Sequence, residues 1–361
     1  MKLARWSFHT YRLPYARPVR WSDIVEDGAL FVLLRLEGED GAVGVGESTI
    51  KATWAGVSPR SLTAALEDML LPLLKGVDLS DPAAVRRRFD PVPENLAAKA
   101  LLDNALWDLA AAKRGEPLWK TWGGRQTVNL SWAVTRQAPA AMAKEAIAMV
   151  ERHGFRTLKV KGGQGIDTDV TGMREIRAAV GGSVSLYVDA NSYYSRDQGP
   201  DYAKRMADAG AVVVEDPCTL FPDSSFSALQ AGSPVPVLVD FNCPSPDTTR
   251  LFIERGARAI SLKPGRVGLT DGAVMRDLAG QAGCRTVVGL FGESLLGTLS
   301  SLQLAATLPP DALASEVTWY LEMTQQIVVA DIVIREGAIA LPDTPSLAAL
   351  VDWDAVKRHA V

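Results

Sequence analysis

The chain has 361 residues, with 38 Lys and Arg against 42 Asp and Glu, a formal net charge of −4, and 47% hydrophobic residues. Weak acidity without a basic face argues against non-specific nucleic-acid binding. No apolar run reaches the roughly 20 residues of a bilayer span, and the opening MKLARWSFHTYRLPYARP has no continuous apolar stretch of the signal-peptide kind. A soluble cytoplasmic protein is expected, without membrane or nucleic-acid partners, and long enough for two domains or one large domain with an appendage. Three cysteines, Cys218, Cys243 and Cys284, make neither a disulfide framework nor a zinc cluster. Three histidines, His9, His153 and His359, are too scattered for a His-rich metal site, so acid–base work falls to Lys, Asp or Glu.

The first hundred residues mix strands and helices. Ala29–Leu36 is an apolar strand, Asp40-Gly41 is a tight-turn signal, and Ala42–Gly46 completes a hairpin. Ser58-Pro59 reads as an N-cap and first helical position, opening a helix through Leu62, Leu66, Met69 and Leu70. A second helix runs from Leu96 to Lys113, with Leu101, Ala105 and Leu109 in a four-residue repeat and Gly115 as its stop.

From Thr127 short apolar strands alternate with helices. The strands are Val128–Val134, Thr157–Lys161, Ser185–Asp189, Val212–Glu215, Pro236–Asp240, Ala259–Lys263 and Thr286–Leu290, with an eighth expected near Val317–Tyr320. The helices between them are Pro139–Glu151, Asp167–Val180, Asp201–Ala209, Asp247–Arg255 and Asp271–Ala282. Seven or eight βα units predict an α/β fold, a TIM-type (β/α) barrel, rather than an open sheet. No strand is followed by G-x-G-x-x-G, which weighs against dinucleotide binding. The expected division is an α+β capping domain over 1–125, a barrel over 126–340, and a C-terminal segment over 341–361 packing back on the cap.

Barrel strands are apolar along their length and end at the active-site face. Here five in succession end in ionisable residues: Lys159 and Lys161, Asp189, Glu215, Asp240, and Lys263, spaced 23 to 28 residues apart. Asp189, Glu215 and Asp240 from adjacent strands make an all-oxygen site suited to Mg²⁺. Lys159 and Lys161, two apart, share a face, and one ammonium lowers the pKa of the next. A lysine on either side of a metal is the equipment for removing a proton α to a carboxylate, with the metal stabilising the enediolate. A single strand-end charge is ordinarily a solvated loop residue, and the lysines could serve only to neutralise the acids as an ion-pair network. Five on consecutive strands are hard to explain that way, because three converging carboxylates repel without a cation.

These residues resemble the enolase superfamily, and within it the muconate lactonizing enzyme subgroup. The likeness spans nearly the whole chain. It is carried by Gly41-Ala-Val-Gly-Val-Gly-Glu47, by Ala97–Asp108 with Gly115-Glu-Pro117 and Gly123-Gly124, and by the strand ends Lys159-Val-Lys161, Asp189-Ala-Asn191, Glu215-Asp-Pro217, Asp240 and Lys263-Pro-Gly-Arg-Val-Gly268. A lysine base working with Mg²⁺ and an enediolate is that superfamily's known chemistry. The resemblance implies Lys161 and Lys263 as the acid–base pair, Lys159 as the group that tunes Lys161, and Asp189, Glu215 and Asp240 as Mg²⁺ ligands. It also implies a homo-oligomer. Val287–Ser294, ending the seventh strand, offers no His, which disfavours the mandelate-racemase subgroup. Two departures stand out. Phe241 follows the third metal ligand where the subgroup has an acid, and Pro342-Asp-Thr-Pro-Ser346 replaces the usual Gly-rich ending.

The resemblance leaves several reactions on one enolate step: racemisation or epimerisation of an N-acylated amino-acid-like carboxylate, muconate-type cycloisomerisation, and o-succinylbenzoate-synthase-like dehydration. Two short segments, Lys263–Gly268 and Trp319-Tyr320, are most similar to the N-succinylamino acid racemase and o-succinylbenzoate synthase group, which puts 1,1-proton transfer first. The expected substrate-binding residues are Asn191, Trp21, Trp54, Phe241, Glu293 and Trp319. Tyr15, Trp21 and Trp54 on the first-domain loops either close over a substrate or pack the domain interface. No Asp-x-Asp pair follows Thr318, so recognition of a dipeptide ammonium in the usual way is not supported; Glu322 either takes that part or, the commoner case, is a solvated surface residue. Cys218 and Cys243 either line the pocket or are small buried side chains, the commoner case. Two readings of other classes are a Schiff-base lyase, trapped by borohydride, and a non-catalytic barrel scaffold.

Overall fold

The computed structural model describes residues 1–20 and 24–361, with the Arg20 side chain outside the description. The first unit is a three-stranded antiparallel sheet, β1 (Leu3–Arg20), β2 (Val25–Gly38) and β3 (Val43–Ile50). The predicted hairpin is β2–β3, and its turn closes through Gly38 N–H to Ala42 O at 2.9 Å, with Gly41 at φ +83°. Strand β1 was not anticipated. It carries Pro14 and Pro18, which belong on an edge, and its pairing with β2 shifts register between Pro14 and Val19.

The Ser58 cap forms as expected, with a full capping box to Ser61, opening α1 (Pro59–Ala65). The long helix α2 (Leu96–Arg114) is buried from Ala97 to Ala111 because it lies between the sheet and the barrel. Two glycines set that approach. A Cβ at Gly44 would sit 2.3 Å from Leu109 N, and one at Gly46 2.6 Å from Leu101 O. The Gly-Val-Gly of the hairpin is therefore a packing requirement of the helix.

The second unit is a seven-stranded parallel sheet with the strands in chain order: β5 (Trp132–Val134), β6 (Thr157–Lys161), β7 (Ser185–Asp189), β8 (Ala211–Glu215), β9 (Val237–Val239), β10 (Ala259–Leu262) and β11 (Arg285–Val288). The intervening helices follow the sequence reading to within a few residues: α3 (Pro139–His153), α4 (Ile166–Val180), α5 (Gly199–Asp208), α6 (Ser224–Gly232), α7 (Pro246–Glu254) and α8 (Leu269–Gln281). After β11 the chain enters a buried helix, α9 (Leu295–Ala305). The expected strand Val128–Val134 is two. β4 (Thr127–Asn129) pairs antiparallel with β13 (Ala338–Ala340), which pairs with β12 (Ile334–Arg335), and only then does the chain join the parallel sheet as β5.

The eighth strand is not where the sequence placed it. Trp319–Glu322 is a 3₁₀ turn. The bridging bonds come a few residues earlier. Leu313 and Glu316 donate to Thr286 O and Val288 O of β11, while Ser315 N–H donates to Asn129 O and Ser131 N–H to Ser315 O. One short segment thus bonds β11 on one side and the residues leading into β5 on the other. The Trp319 ring then fills the interior, stacked 6.1 Å from Trp132 and edge-on to Tyr15 at 5.9 Å, and the chain turns there. The C-terminal segment lies against the first unit. Leu347 N–H donates to Asp108, Arg12 N–H to His359 O, and Val361 N–H to Thr10 O. Among the described residues no helix is long and apolar enough to cross a membrane.

Candidate active site

Register assembles the strand ends. Lys161 pairs with Asp189 and Asp189 with Glu215, so the three stand side by side on β6, β7 and β8. Glu215 pairs with Leu238, which sets Asp240 one step further out, past the end of β9. Lys263 follows β10. The sheet order therefore brackets the three carboxylates between Lys161 on one side and Lys263 on the other. All three acids are buried.

The ion pairs are specific. Lys159 Nζ lies 3.0 Å from Asp189, 2.9 Å from Glu215 and 2.7 Å from Glu316. Lys161 Nζ lies 2.7 Å from Asp189 Oδ2. Lys263 binds Asp240 Oδ2, and Arg266 Nη2 reaches Asp240 O at 3.0 Å. Burial pulls Lys159 toward its neutral form, but Asp189, Glu215 and Glu316 outweigh it, so Lys159 is held as an ammonium well above its ordinary range. Burial pushes Glu215 up, and the Asp189 charge beside it pushes it further. Asp189 is also buried, yet Lys159 and Lys161 hold it down as a carboxylate, and Lys263 and Arg266 do the same for Asp240.

The donor set suits a hard divalent cation: three carboxylates and no nitrogen or sulfur. Glu215 Oε2 and Asp240 Oδ1 are buried without a well-aligned hydrogen bond, and each has only an ion-pair neighbour, Lys159 Nζ at 2.9 Å and Arg266 Nη2 at 3.3 Å. Among the described residues, however, no three acidic, His or Cys side chains stand at ligand spacing. The lysines take the carboxylate oxygens instead. The residues that could hold a metal are Asp189, Glu215 and Asp240, with those ion pairs rearranged.

Above them opens a cavity of about 600 Å³ between the barrel mouth and the first unit. It is lined by Lys159, Lys161, Asp240, Lys263, Asn191, Trp54, Phe241 and Trp319 of the expected residues. Trp54 packs beside Phe291 on the cavity wall, with ring centroids 6.1 Å apart. Phe241 is 60% exposed, but its backbone is fixed, since its N–H donates to Asp216 Oδ2 at 2.8 Å. Asp216 is itself buried at φ +37°. Asn191 donates to both oxygens of Asp189, at 2.7 and 2.9 Å. Trp21 lies outside the described residues.

Several expectations need correction. Glu293 does not reach the cavity. It is buried, accepts from Phe291 N–H at 2.7 Å, and is pushed up to about 7 by burial. Glu322 is not solvated: its side chain is 14% exposed and lies 3.5 Å from Arg17. Of the alternatives left open above, Tyr15 takes the interface packing, against Trp319, and Cys218 and Cys243 are the small buried side chains of the commoner case. Two site residues escaped the sequence reading. Glu316, the partner of Lys159, was signalled only by a lone acid inside the apolar run Leu313–Tyr320. Arg136, which lines the cavity after β5, carried no motif.

Comparison with known proteins fits this architecture. Residues 8–123 match the mandelate racemase / muconate lactonizing enzyme N-terminal domain, and residues 141–355 match the enolase C-terminal domain-like family. A muconate cycloisomerase of Acinetobacter lwoffii is 28% identical, covering 96% of this chain and 92% of its own. An o-succinylbenzoate synthase of Geobacillus stearothermophilus is 29% identical, covering 91% and 88%. The L-Ala-D/L-Glu epimerase of Bacillus subtilis is 29% identical, covering 85% and 86%. Its substrate-liganded structure superposes with a TM-score of 0.89 at 26% identity, over 96% of this chain and 98% of that one. A muconate lactonizing enzyme from Pseudomonas fluorescens shares the fold with a TM-score of 0.93 at 24% identity, over 100% and 99%.

Proposed function

This chain belongs to the mandelate racemase / muconate lactonizing enzyme family of the enolase superfamily, and on that premise we propose that it removes and returns the proton α to a carboxylate. It is an enzyme with isomerases and o-succinylbenzoate synthases among its relatives. The substrate is a small or N-acylated amino-acid-like carboxylate, and the reaction is racemisation or epimerisation. The observation that carries this is the placement of Lys161 and Lys263, which line the cavity with Asp240, on either side of three adjacent strand-end carboxylates.

The roles follow from position. Lys161 Nζ takes or gives the proton on one face of the substrate and Lys263 Nζ on the other, which a two-face inversion needs. Lys159 stays charged and holds Asp189 and Glu215 in place. Magnesium held by Asp189, Glu215 and Asp240 would supply the positive charge that stabilises the second negative charge developing on the substrate carboxylate. Trp54 and Phe291 wall the cavity and reduce the water around the reacting carbon.

A second reading is muconate-type cycloisomerisation on the same residues, favoured by the coverage of the Acinetobacter lwoffii relative. A dehydration like that of the o-succinylbenzoate synthase would use the same proton step. Polarimetry of an N-acyl-L-amino acid incubated with the enzyme and Mg²⁺ separates them. Decay of optical rotation without change of composition supports racemisation. Loss of muconate absorbance with no racemisation replaces it by the second reading.

A further inference from the structure

Among the described residues, five cationic side chains line the cavity: Lys159, Lys161, Lys263, Arg266 and Arg136. Four of them are neutralised. Lys159 faces Asp189, Glu215 and Glu316, Lys161 faces Asp189, and Lys263 and Arg266 share Asp240. Arg136 makes no ion pair among the described residues. Its Nε donates to the Gly162 carbonyl and its Nη2 to Asn191 Oδ1 at 3.0 Å, and both acceptors are neutral. Arg17 is a useful contrast. It stands between Glu145 at 3.6 Å and Glu322 at 3.5 Å and does not line the cavity.

We propose that Arg136 binds a second carboxylate of the substrate, so that the enzyme acts on dianions. This rests on the enolate reading for the position of the first carboxylate. The guanidinium is held at a defined place relative to that centre. Gly162 follows Lys161 directly, and Asn191 also donates to Asp189 Oδ2, the oxygen that binds Lys161. The Arg136 head group is therefore two hydrogen bonds from the carboxylate that holds one base. Fixed from two sides, it loses little rotamer freedom on binding. Two of the five guanidinium N–H donors are used, which leaves a planar fork able to take a carboxylate in two parallel hydrogen bonds. The head group is half-buried, and the same cavity carries the apolar walls of Trp54, Phe241 and Phe291, where such a pair is screened less than in open water. Among the described residues, the other acids of the cavity do not compete. Asp240 and Glu316 are engaged as above, and Glu94 on the rim makes no ion pair with Arg136.

The test measures affinity, so it does not depend on turnover. Binding of N-succinylglycine and of its terminal amide is compared by calorimetry, with Mg²⁺ present, in the wild type and in Arg136→Gln. The expected result is a preference of at least tenfold for the diacid in the wild type, falling to less than twofold in Arg136→Gln, with affinity for the amide unchanged. A preference that survives in Arg136→Gln overturns the proposal. So does equal binding of the two compounds by the wild type, or no binding of either. Exchange of the α-protons of the same compound reports on the enolate reading separately: absent exchange with the preference intact overturns that reading and leaves Arg136 in its role.

Discussion

Lys159 Nζ and Glu316 Oε2 stand 2.7 Å apart although 157 residues separate them in the chain. The pair joins β6 to the segment that bonds β11 on one side and the residues leading into β5 on the other. It also gives the buried ammonium a third acid, which helps keep it charged against burial. Glu316→Gln keeps the shape and removes the charge. The expected outcome is a loss of about 1–3 kcal/mol in urea unfolding, because a buried charged partner is removed. A fall of about tenfold or more in the proton-transfer rate is expected, since Asp189 and Glu215 are then held less firmly.

Magnesium should stabilise the folded protein if Asp189, Glu215 and Asp240 hold it. At a hundred times its dissociation constant the gain is about 2.7 kcal/mol, read as a rise in Tm. Asp240→Asn should lose most of that rise, and its metal-free Tm should itself fall because Lys263 and Arg266 lose their buried partner. An equal rise in both proteins would place the metal elsewhere.

Gly268 has φ +87°, and a Cβ there would meet Asp103 Oδ2 at 2.6 Å. Asp103 accepts from Thr270 N–H at 2.7 Å and from its hydroxyl at 2.6 Å, and Asn104 binds both Pro264 O and Leu269 N–H. Helix α2 thus holds the segment that follows Lys263. Gly268→Ala should cost about 1–3 kcal/mol from the backbone alone. It should also lower the activity that depends on Lys263 more than activity measured at Lys161, which separate single-face exchange rates would show.

Burial pushes Asp103 up to about 7 and Asp108 up to about 6. In the unfolded chain both titrate near pH 4. Between pH 4 and those values the native state holds protons that the unfolded chain has released. The two groups therefore contribute stability that falls as pH rises through this window. Asp103→Asn should flatten that slope in unfolding measurements across pH 4 to 7.

Much of this was legible in the sequence. Ser185–Asp189 and the other parallel strands announce themselves because a doubly covered strand is uniformly apolar until its functional end. That contrast makes Asp189, Glu215 and Lys263 conspicuous. Glu316 was hidden because its segment is held by single bridges on both sides and has no strand-length pattern. Strand β1 was hidden by its prolines and arginines, which an edge tolerates. Glu322 was misplaced because one-dimensional polarity does not tell a buried, partnered carboxylate from a solvated one, and Glu293 because a position past a strand end does not show whether the side chain turns to the cavity or back onto its own backbone. Arg136 became visible only when its neighbours were known to be neutral.

The most direct test is exchange of the α-proton in D₂O with Mg²⁺, followed by NMR on N-acyl amino acids and muconates in the wild type, Lys161→Ala and Lys263→Ala. Metal-dependent exchange in the wild type, lost or confined to one enantiomer in each variant, is the predicted result. Exchange that persists unchanged in both variants, or none with any substrate in a protein that binds no Mg²⁺, would contradict proton transfer between these two lysines.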